Sequence, residues 1–462
     1  MVSLAALSRK VLTYIVPSKK ERTAEQALCR RIMRTIRKTR GPHKGAVLAG
    51  SIARDTHLAG DKDLDIFVYY SPSLKRESFE KHGLKLGHFI FGKNPHEEAY
   101  SEHPYVRGNI DGFDVEIVPV FKVGKATEKI SAVDRTPFHT SYVKRRLKIY
   151  QRNQVRLLKQ FFKGIQVYGA DTRYQGVPGY LVELLILEYG TFEKALRAMA
   201  FWKEGTVIDR ENEYGSESEA LSLFPGAFLV VVDPTDKIRN VAAALSYNQF
   251  ARLIMAARSF LNRPRMTFFF GHQEKALPEK ELKKRFQTEE LIGLHFSYPK
   301  GIVEDVVWGQ LARLSRRAST GLQQNDFIVR RTFTHTSGGE DCYLFFDVAN
   351  PILQKSKTRI GPKVVEAGHA EAFLKAHSHP LSGPRIEEGR LVVEETRRFV
   401  KAEGALEEIW KGKMIANEKD ELASAMSDFK ILQETHLTGL ARKDDEFARA
   451  LSAFLKGKEF FL

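Results

Sequence analysis

The sequence predicts an α+β protein built of several domains, and three observations carry that reading. At 462 residues the chain is too long for one ordinary hydrophobic core, which sets the expectation at roughly two to four domains. Its apolar periodicity changes along the chain, from mixed helix and strand to long helices and back to mixed. With 43% hydrophobic and 28% charged residues, the composition is that of a folded chain and excludes a disordered one.

Glu21 to Thr39 carries Ala27, Leu28, Ile32 and Ile36 at helical spacing, and Gly41-Pro42 ends it before the apolar run Ala46 to Ala49. Leu64 to Tyr70 and the alternating Phe113 to Val120 read as strands, which gives a mixed N-terminal domain over 1–140. From about Ser141 the pattern turns helical. Val155, Leu158 and Phe162 form one stripe, Tyr180 to Tyr189 is strongly apolar after Pro178-Gly179, and Tyr247 to Leu261 runs to a stop near Asn262-Arg263-Pro264. This is a helical central domain, 141–264. Leu291 to Ser297 (strand), Ile302 to Leu322 (helix), then Phe327 to Thr334 and Cys342 to Val348 (strands) suggest a small α+β sandwich, ferredoxin-like or related, over 265–365. Past Gly361-Pro362 further helices and strands lead into a charged helical tail, 366–462. The sequence holds no internal repeat or low-complexity tract.

Lys plus Arg outnumber Asp plus Glu by 73 to 57, a formal net charge of +16, which favours a polyanionic partner and nucleic acid first. Charge alone does not settle this, since basic chains also serve solubility. Two cysteines, Cys29 and Cys342, are too few for a disulfide framework or a Cys-based zinc site, and a reducing cytosol fits. The longest apolar runs, such as Ala227 to Val232, fall far short of the ~20 residues of a spanning helix, so no membrane partner is expected. The early basic residues Arg9, Lys10, Lys19 and Lys20 argue against a signal peptide. The expected location is cytoplasmic.

The chemistry concentrates after Ala49. Gly50-Ser51 follows an apolar run, and Asp63-Leu64-Asp65 opens the next strand. Alternate side chains of a strand share a face, so Asp63 and Asp65 point together while Leu64 enters the core. Glu116 lies between Val115 and Ile117 in a second strand and can join them from beside. Clustered carboxylates raise one another's pKa unless a cation sits among them, and oxygen-only ligation suits Mg²⁺. Two such ions can clamp an in-line phosphoryl displacement. Ser51, on a turn made tight by Gly50, offers its hydroxyl and N–H to phosphate oxygens. A lone Asp-x-Asp would more often be a strand edge kept soluble by charge. The combination with Gly50-Ser51 and Glu116 is the pattern of the nucleotidyltransferase superfamily that includes DNA polymerase beta.

Within that superfamily the chain resembles the archaeal, class I, CCA-adding enzymes over roughly 48–360. The resemblance rests on ordered blocks: Gly50-Ser51-Ile52-Ala53-Arg54-Asp55-Thr56, Glu102-His103-Pro104-Tyr105-Val106, Ala132-Val133-Asp134-Arg135-Thr136-Pro137-Phe138-His139 and Val155-Arg156-Leu157-Leu158-Lys159. Tyr168-Gly169-Ala170, Gly179-Tyr180-Leu181-Val182-Glu183-Leu184-Leu185, Val232-Asp233-Pro234-Thr235-Asp236 and Arg239-Asn240-Val241-Ala242-Ala243 continue the series. The resemblance implies a polymerase-beta-like catalytic head, a helical neck, and an α+β RNA-binding body and tail. It implies template-independent addition of C, C and A to the tRNA 3′ end from CTP and ATP, with two Mg²⁺ ions. Asp63, Asp65 and Glu116 would ligate metal; Ser51, Arg54, Lys159 and Tyr168 would grip the triphosphate. His103, Thr136 and His139 would lie near the nucleotide or primer end, with Asp236 at the nucleotide and Arg239 helping to read the base. The tRNA would be held at its acceptor stem and T arm, and a homodimer is an assembly left open. Asp63 stands where the family often has Glu, and Glu116 where Asp is frequent.

Other readings remain open at this point. A poly(A)- or oligoadenylate-type polymerase would share the acids, and a tRNA-binding protein with a decayed site would share the basic surface. Arg152, Arg156, Lys159 and Lys163 share one helix face and read as a phosphate-facing stripe, with a solvated basic face as the plain alternative. His103 and His139 could be ordinary structural histidines. Arg330, Arg331, His335 and Gly338-Gly339 read as an exposed hairpin, with RNA contact as the lesser alternative, and Arg30, Arg31, Arg34 and Arg37 as surface, with tRNA contact as the lesser alternative.

Overall fold

Leu64, Ile66 and Val68 alternate with Asp63, Asp65 and Phe67 along one strand, and that alternation decides which way the N-terminal sheet faces. In the computed structural model, residues 3–271, 275–288, 291–299, 301–302, 304–337, 339–412, 426–432 and 434–462 are described. Two compact units form: Met1–His272 with Glu459–Leu462, and Gln273–Lys458.

The first unit begins with α1 (Leu4–Ile15), α2 (Lys19–Lys38), β1 (Ala46–Leu48), α3 (Gly50–Arg54), β2 (Asp63–Tyr70), α4 (Arg76–Phe91), β3 (His96–Tyr100), β4 (Pro104–Ile110) and β5 (Phe113–Phe121). Ser18 and Glu21 cap α2 reciprocally, which satisfies two N–H groups that helix geometry leaves over. The sheet order is β1-β2-β5-β4-β3, with β2 and β5 parallel and every other pair antiparallel. Leu28, Ile32 and Ile36 of α2 and Phe79, Leu86 and Phe91 of α4 bury Leu64, Ile66, Val115 and Ile117 on one face. The acids are left on the other.

The unit continues as α5 (Thr136–Arg146), α6 (Ile149–Gly164), α7 (Gly179–Tyr189), α8 (Phe192–Met199), β6 (Thr206–Ile208), α9 (Glu217–Leu223), β7 (Leu229–Asp233), β8 (Asp236–Asn240), α10 (Tyr247–Asn262) and α11 (Thr267–Phe270). Its core gathers Phe161, Phe192, Phe260 and Phe268, with Leu181, Leu184 and Leu185 of α7. Leu7, Val11 and Ile15 of α1 join this helical core and not the sheet. Phe461, far away in sequence, stacks on Phe268 of the same core.

The second unit has α12 (Glu279–Thr288), β9 (Leu291–Ser297), α13 (Glu304–Gln324), β10 (Val329–Ser337), β11 (Asp341–Val348), β12 (Ser356–Lys363), α14 (Ala367–Ala376), β13 (Ser382–Glu387), β14 (Arg390–Thr396), α15 (Ala402–Lys411) and β15 (Lys430–Leu432). Its main sheet is antiparallel in the order β10-β11-β9-β15. With α13 and α15 on one face this is the βαββαβ connectivity of a ferredoxin-like sandwich, carrying β12 to β14 as an insertion. The fourth strand therefore comes from 430–432, inside the stretch read as tail. Helices Glu434–Lys443 and Asp445–Lys456 supply Leu437, Phe447 and Leu451 to the opposite face. In the hairpin, Arg330 and Arg331 are tied to Asp347 and His335 is buried, so these groups do not project freely; Gly338 lies outside the described residues. Among the described residues, no helix is long and apolar enough to cross a membrane.

Candidate active site

β2 and β5 run parallel and in register, with Asp63 opposite Asp114 and Asp65 opposite Glu116. Paired residues of neighbouring strands point to the same side, so all four carboxylates share the face turned away from α2 and α4. Burial and neighbouring acids raise Asp63, Asp65 and Glu116 above their ordinary values. Burial, then the charges of Glu116 and Asp63, pushes Asp65 up to about 7. Burial, then Asp61 and Asp114, raises Asp63. Burial also raises Glu116, against the pull of Arg107 and with the push of Asp63.

Such a face favours a cation, since positive charge relieves both the repulsion and the burial of negative charge. Oxygen-only donors suit a hard divalent ion. Among the described residues, no three His, Cys, Asp or Glu side chains are already gathered as a metal cage, so the trio is a shared face and not a closed shell.

Directly beside it, Gly50 has φ +66°, and a Cβ there would fall 1.7 Å from Asp65 Oδ2. The glycine admits the main chain against the carboxylate and starts α3, which puts Ser51 in the first helical turn, half-buried, next to the acids. Arg54 ends the same helix. It is buried, donating from Nε to Glu183 Oε1 at 2.7 Å and from Nη1 to Thr140 Oγ1 at 3.0 Å.

The basic stripe of α6 is paired with acids along its length, although Lys163 remains exposed. Arg152 and Arg156 pair with Asp55, and Lys159 and Lys163 with Asp61, at 3.7 and 3.0 Å for the two lysines. These pairs fasten α6 to the loop that leads into β2. Both lysines lie over the Tyr168 ring, 5.6 and 5.5 Å from its centre. Burial lowers the Lys159 pKa, while Asp61 and Glu183 oppose the loss of its charge.

A second cluster forms around Asp233, which is fully buried. His139 Nε2 lies 2.9 Å from Oδ2, Arg239 Nη1 donates to the same oxygen at 2.9 Å, and Tyr180 and Thr235 donate to Oδ1. Burial works against its charge, but the His139 contact and the other donors hold Asp233 well below the usual carboxylate range. His139 stacks on Tyr180 with centroids 4.1 Å apart, and burial lowers its pKa. Asp236 turns inward to Lys129 and Arg135, at 2.7 and 3.3 Å. Thr136 opens α5, half-buried. His103 packs edge-on against Phe79 of the helix-covered core.

The structure thus sets Asp63, Asp65 and Glu116 on one face with Ser51 in the turn beside Asp65, pairs Arg54 with Glu183 and Lys159 with Asp61, lays Tyr168 against Lys159, and sets His139 and Arg239 on Asp233. Sequence reasoning missed Glu183, Asp61 and Asp233. Glu183 does leave a sequence signal, being the one acid within the apolar run Leu181 to Leu187. Asp233 closes the apolar strand that begins at Leu229.

Comparison with known proteins agrees with this architecture. Residues 30–139 match the nucleotidyltransferase domain, 153–270 the second domain of tRNA nucleotidyltransferase, and 287–434 the C-terminal domain of the CCA-adding enzyme. The CCA-adding enzyme of Haloarcula marismortui is 39% identical over 78% of this chain and 79% of its own length. That of Methanosarcina acetivorans is 35% identical over 87% and 86%, and that of Methanopyrus kandleri 33% over 99% and 98%.

Proposed function

The chain belongs to the family of archaeal CCA-adding enzymes, and from that premise we propose how its site performs their reaction. It adds C, C and A to the 3′ end of tRNA, from CTP and ATP and without a nucleic-acid template, releasing pyrophosphate.

Asp63, Asp65 and Glu116 would hold two Mg²⁺ ions, which supply acidification of the attacking 3′-hydroxyl and neutralisation of charge on the triphosphate. The chain's own groups do the rest. Ser51 offers its hydroxyl to phosphate oxygens beside Asp65, and Arg54 and Lys159 set two buried positive charges against the triphosphate, with Tyr168 flanking Lys159. Arg239, its guanidinium fixed by Asp233, faces the base, with His139 and Thr136 on the same side. Asp236 acts indirectly, as the inward anchor of Lys129 and Arg135. The division into head (1–140), neck (141–264), body (265–365) and tail (366–462) belongs to this reading, with α15 and β15 completing the body's sandwich from within 366–462. The body and tail would hold the acceptor stem and T arm through shape and phosphate contacts, as a double-stranded RNA requires. The reaction would take place in the cytoplasm.

The observation that carries the proposal is the parallel register that sets Asp65 beside Glu116, where burial and then the charges of Glu116 and Asp63 raise Asp65. Its test is incorporation of each nucleotide, offered singly and in pairs, into tRNA lacking CCA, after chelation and after return of Mg²⁺. Two C and one A, restored by Mg²⁺, supports the reading. Unlimited A addition without C, or activity that chelation leaves untouched, overturns it.

A further inference from the structure

Glu183 is a carboxylate buried in an otherwise apolar helix, and no role for it follows from the metal chemistry. Leu181, Val182, Leu184, Leu185, Ile186 and Leu187 around it are all core residues. A lone charge in such a place is costly unless it is paired and hydrogen-bonded. Its Oε1 accepts from Arg54 Nε at 2.7 Å and from Thr56 Oγ1 at 2.5 Å, and side-chain exposure of the Arg54–Glu183 pair is only 8% and 2%. Oε2 is buried with no hydrogen-bond partner among the described residues. Glu183 also favours the charged form of Lys159, which Arg54 opposes.

We propose that Glu183 is the positioning residue of the triphosphate grip, orienting Arg54 for phosphate and serving as its counter-charge. The geometry is specific. Nε is committed to Glu183 and Nη1 to Thr140, so the guanidinium plane is fixed from two sides and Nη2 is the amino group these contacts leave over for a phosphate oxygen. Thr56, two residues after Arg54, is held by the same oxygen, so α3 and the turn behind it are clamped to α7 at one point. Arg54 and Thr56 lie at one end of the Gly50 to Thr56 segment whose other end touches Asp65, so a loosened Glu183 displaces the grip and leaves the metal ligands in place.

The inference rests on the assignment of Arg54 to the triphosphate, and the test separates the two. CTP binding by the full chain is measured at equilibrium, and CTP KM and kcat on tRNA lacking CCA. The variants are Arg54→Met, Glu183→Asp, Glu183→Gln and Arg54→Met with Glu183→Gln. Glu183→Asp keeps the charge and withdraws the oxygens by about 1.5 Å, the length of one methylene. It should raise CTP KM about tenfold with a smaller change in kcat. Glu183→Gln keeps an acceptor at Oε1 but removes the counter-charge, and should raise CTP KM about threefold, less than Glu183→Asp does. The double variant should bind CTP no worse than Arg54→Met alone, because Glu183 acts through Arg54. A role confined to packing would lower the melting temperature and leave CTP KM unchanged in Glu183→Asp, and that result overturns the inference. An unchanged CTP KM in Arg54→Met overturns instead the assignment on which it rests.

Discussion

Arg156, 1% exposed, donates from Nη2 to Asp55 Oδ1 at 2.5 Å, and this pair fixes helix α6 to the turn that follows Ser51. Nε of the same arginine donates to the His57 carbonyl at 2.8 Å. Arg22 and Arg152 also pair with Asp55, so one carboxylate answers three guanidinium groups.

Asp55→Asn should therefore destabilise the fold by about 3 kcal/mol, because it leaves Arg156 as a buried charge without its counter-ion. Asparagine tolerates the left-handed backbone of this position (φ 55°), so the change isolates the charge. Urea unfolding measures it, and a loss under about 1 kcal/mol would show that the hub is not needed.

Gly50 is expected to be intolerant of the smallest side chain. A Cβ would overlap Asp65 Oδ2, and φ +66° is itself unfavourable for alanine. Gly50→Ala should lower incorporation at least about 100-fold, since a shift of roughly 1 Å in a reacting group is enough for that. Activity within a few-fold of wild type would contradict the close approach.

Much of this site was legible in the sequence, and the parts that were not have a common cause. Alternation in Asp63-Leu64-Asp65 and around Glu116 fixes facing, because a strand has only two faces. Facing does not choose between partners. The stripe Arg152, Arg156, Lys159 and Lys163 reads alike whether it meets phosphate or Asp55 and Asp61, which are distant in sequence. Asp236 drew attention by its place next to Arg239, yet the carboxylate that holds the arginine is Asp233, and only the strand turn decides that. The three-residue β15 is too short to show any period, so its place beside β9 was invisible.

Asp233 should govern base choice through Arg239. Asp233→Asn retains the shape and removes the charge that holds His139 and Arg239 together. The preference for CTP over UTP, measured as a ratio of kcat/KM values, should fall about tenfold. An unchanged ratio with a reduced rate would assign Asp233 to folding alone.

His57 is expected to make stability depend on pH. Burial, then the charge of Arg156, pushes its pKa down to about 4 from an ordinary value near 6.5. The folded state thus prefers neutral imidazole. This stability is fully present above pH 6.5 and is lost as pH falls from there toward 4, where the unfolded chain binds the extra proton. Between pH 7.5 and 5 the wild type should lose about 1–2 kcal/mol more than His57→Gln. Parallel pH profiles for the two proteins would count against it.

The central claim is that acids at 63, 65 and 116 act together on a nucleoside triphosphate. It is tested most directly by labelled CTP and ATP incorporation into tRNA lacking CCA, with Mg²⁺ present, comparing the native chain with Asp65→Ala. The account expects loss of incorporation to background in the variant, with tRNA binding and melting behaviour retained. Equal incorporation by the two proteins would contradict it.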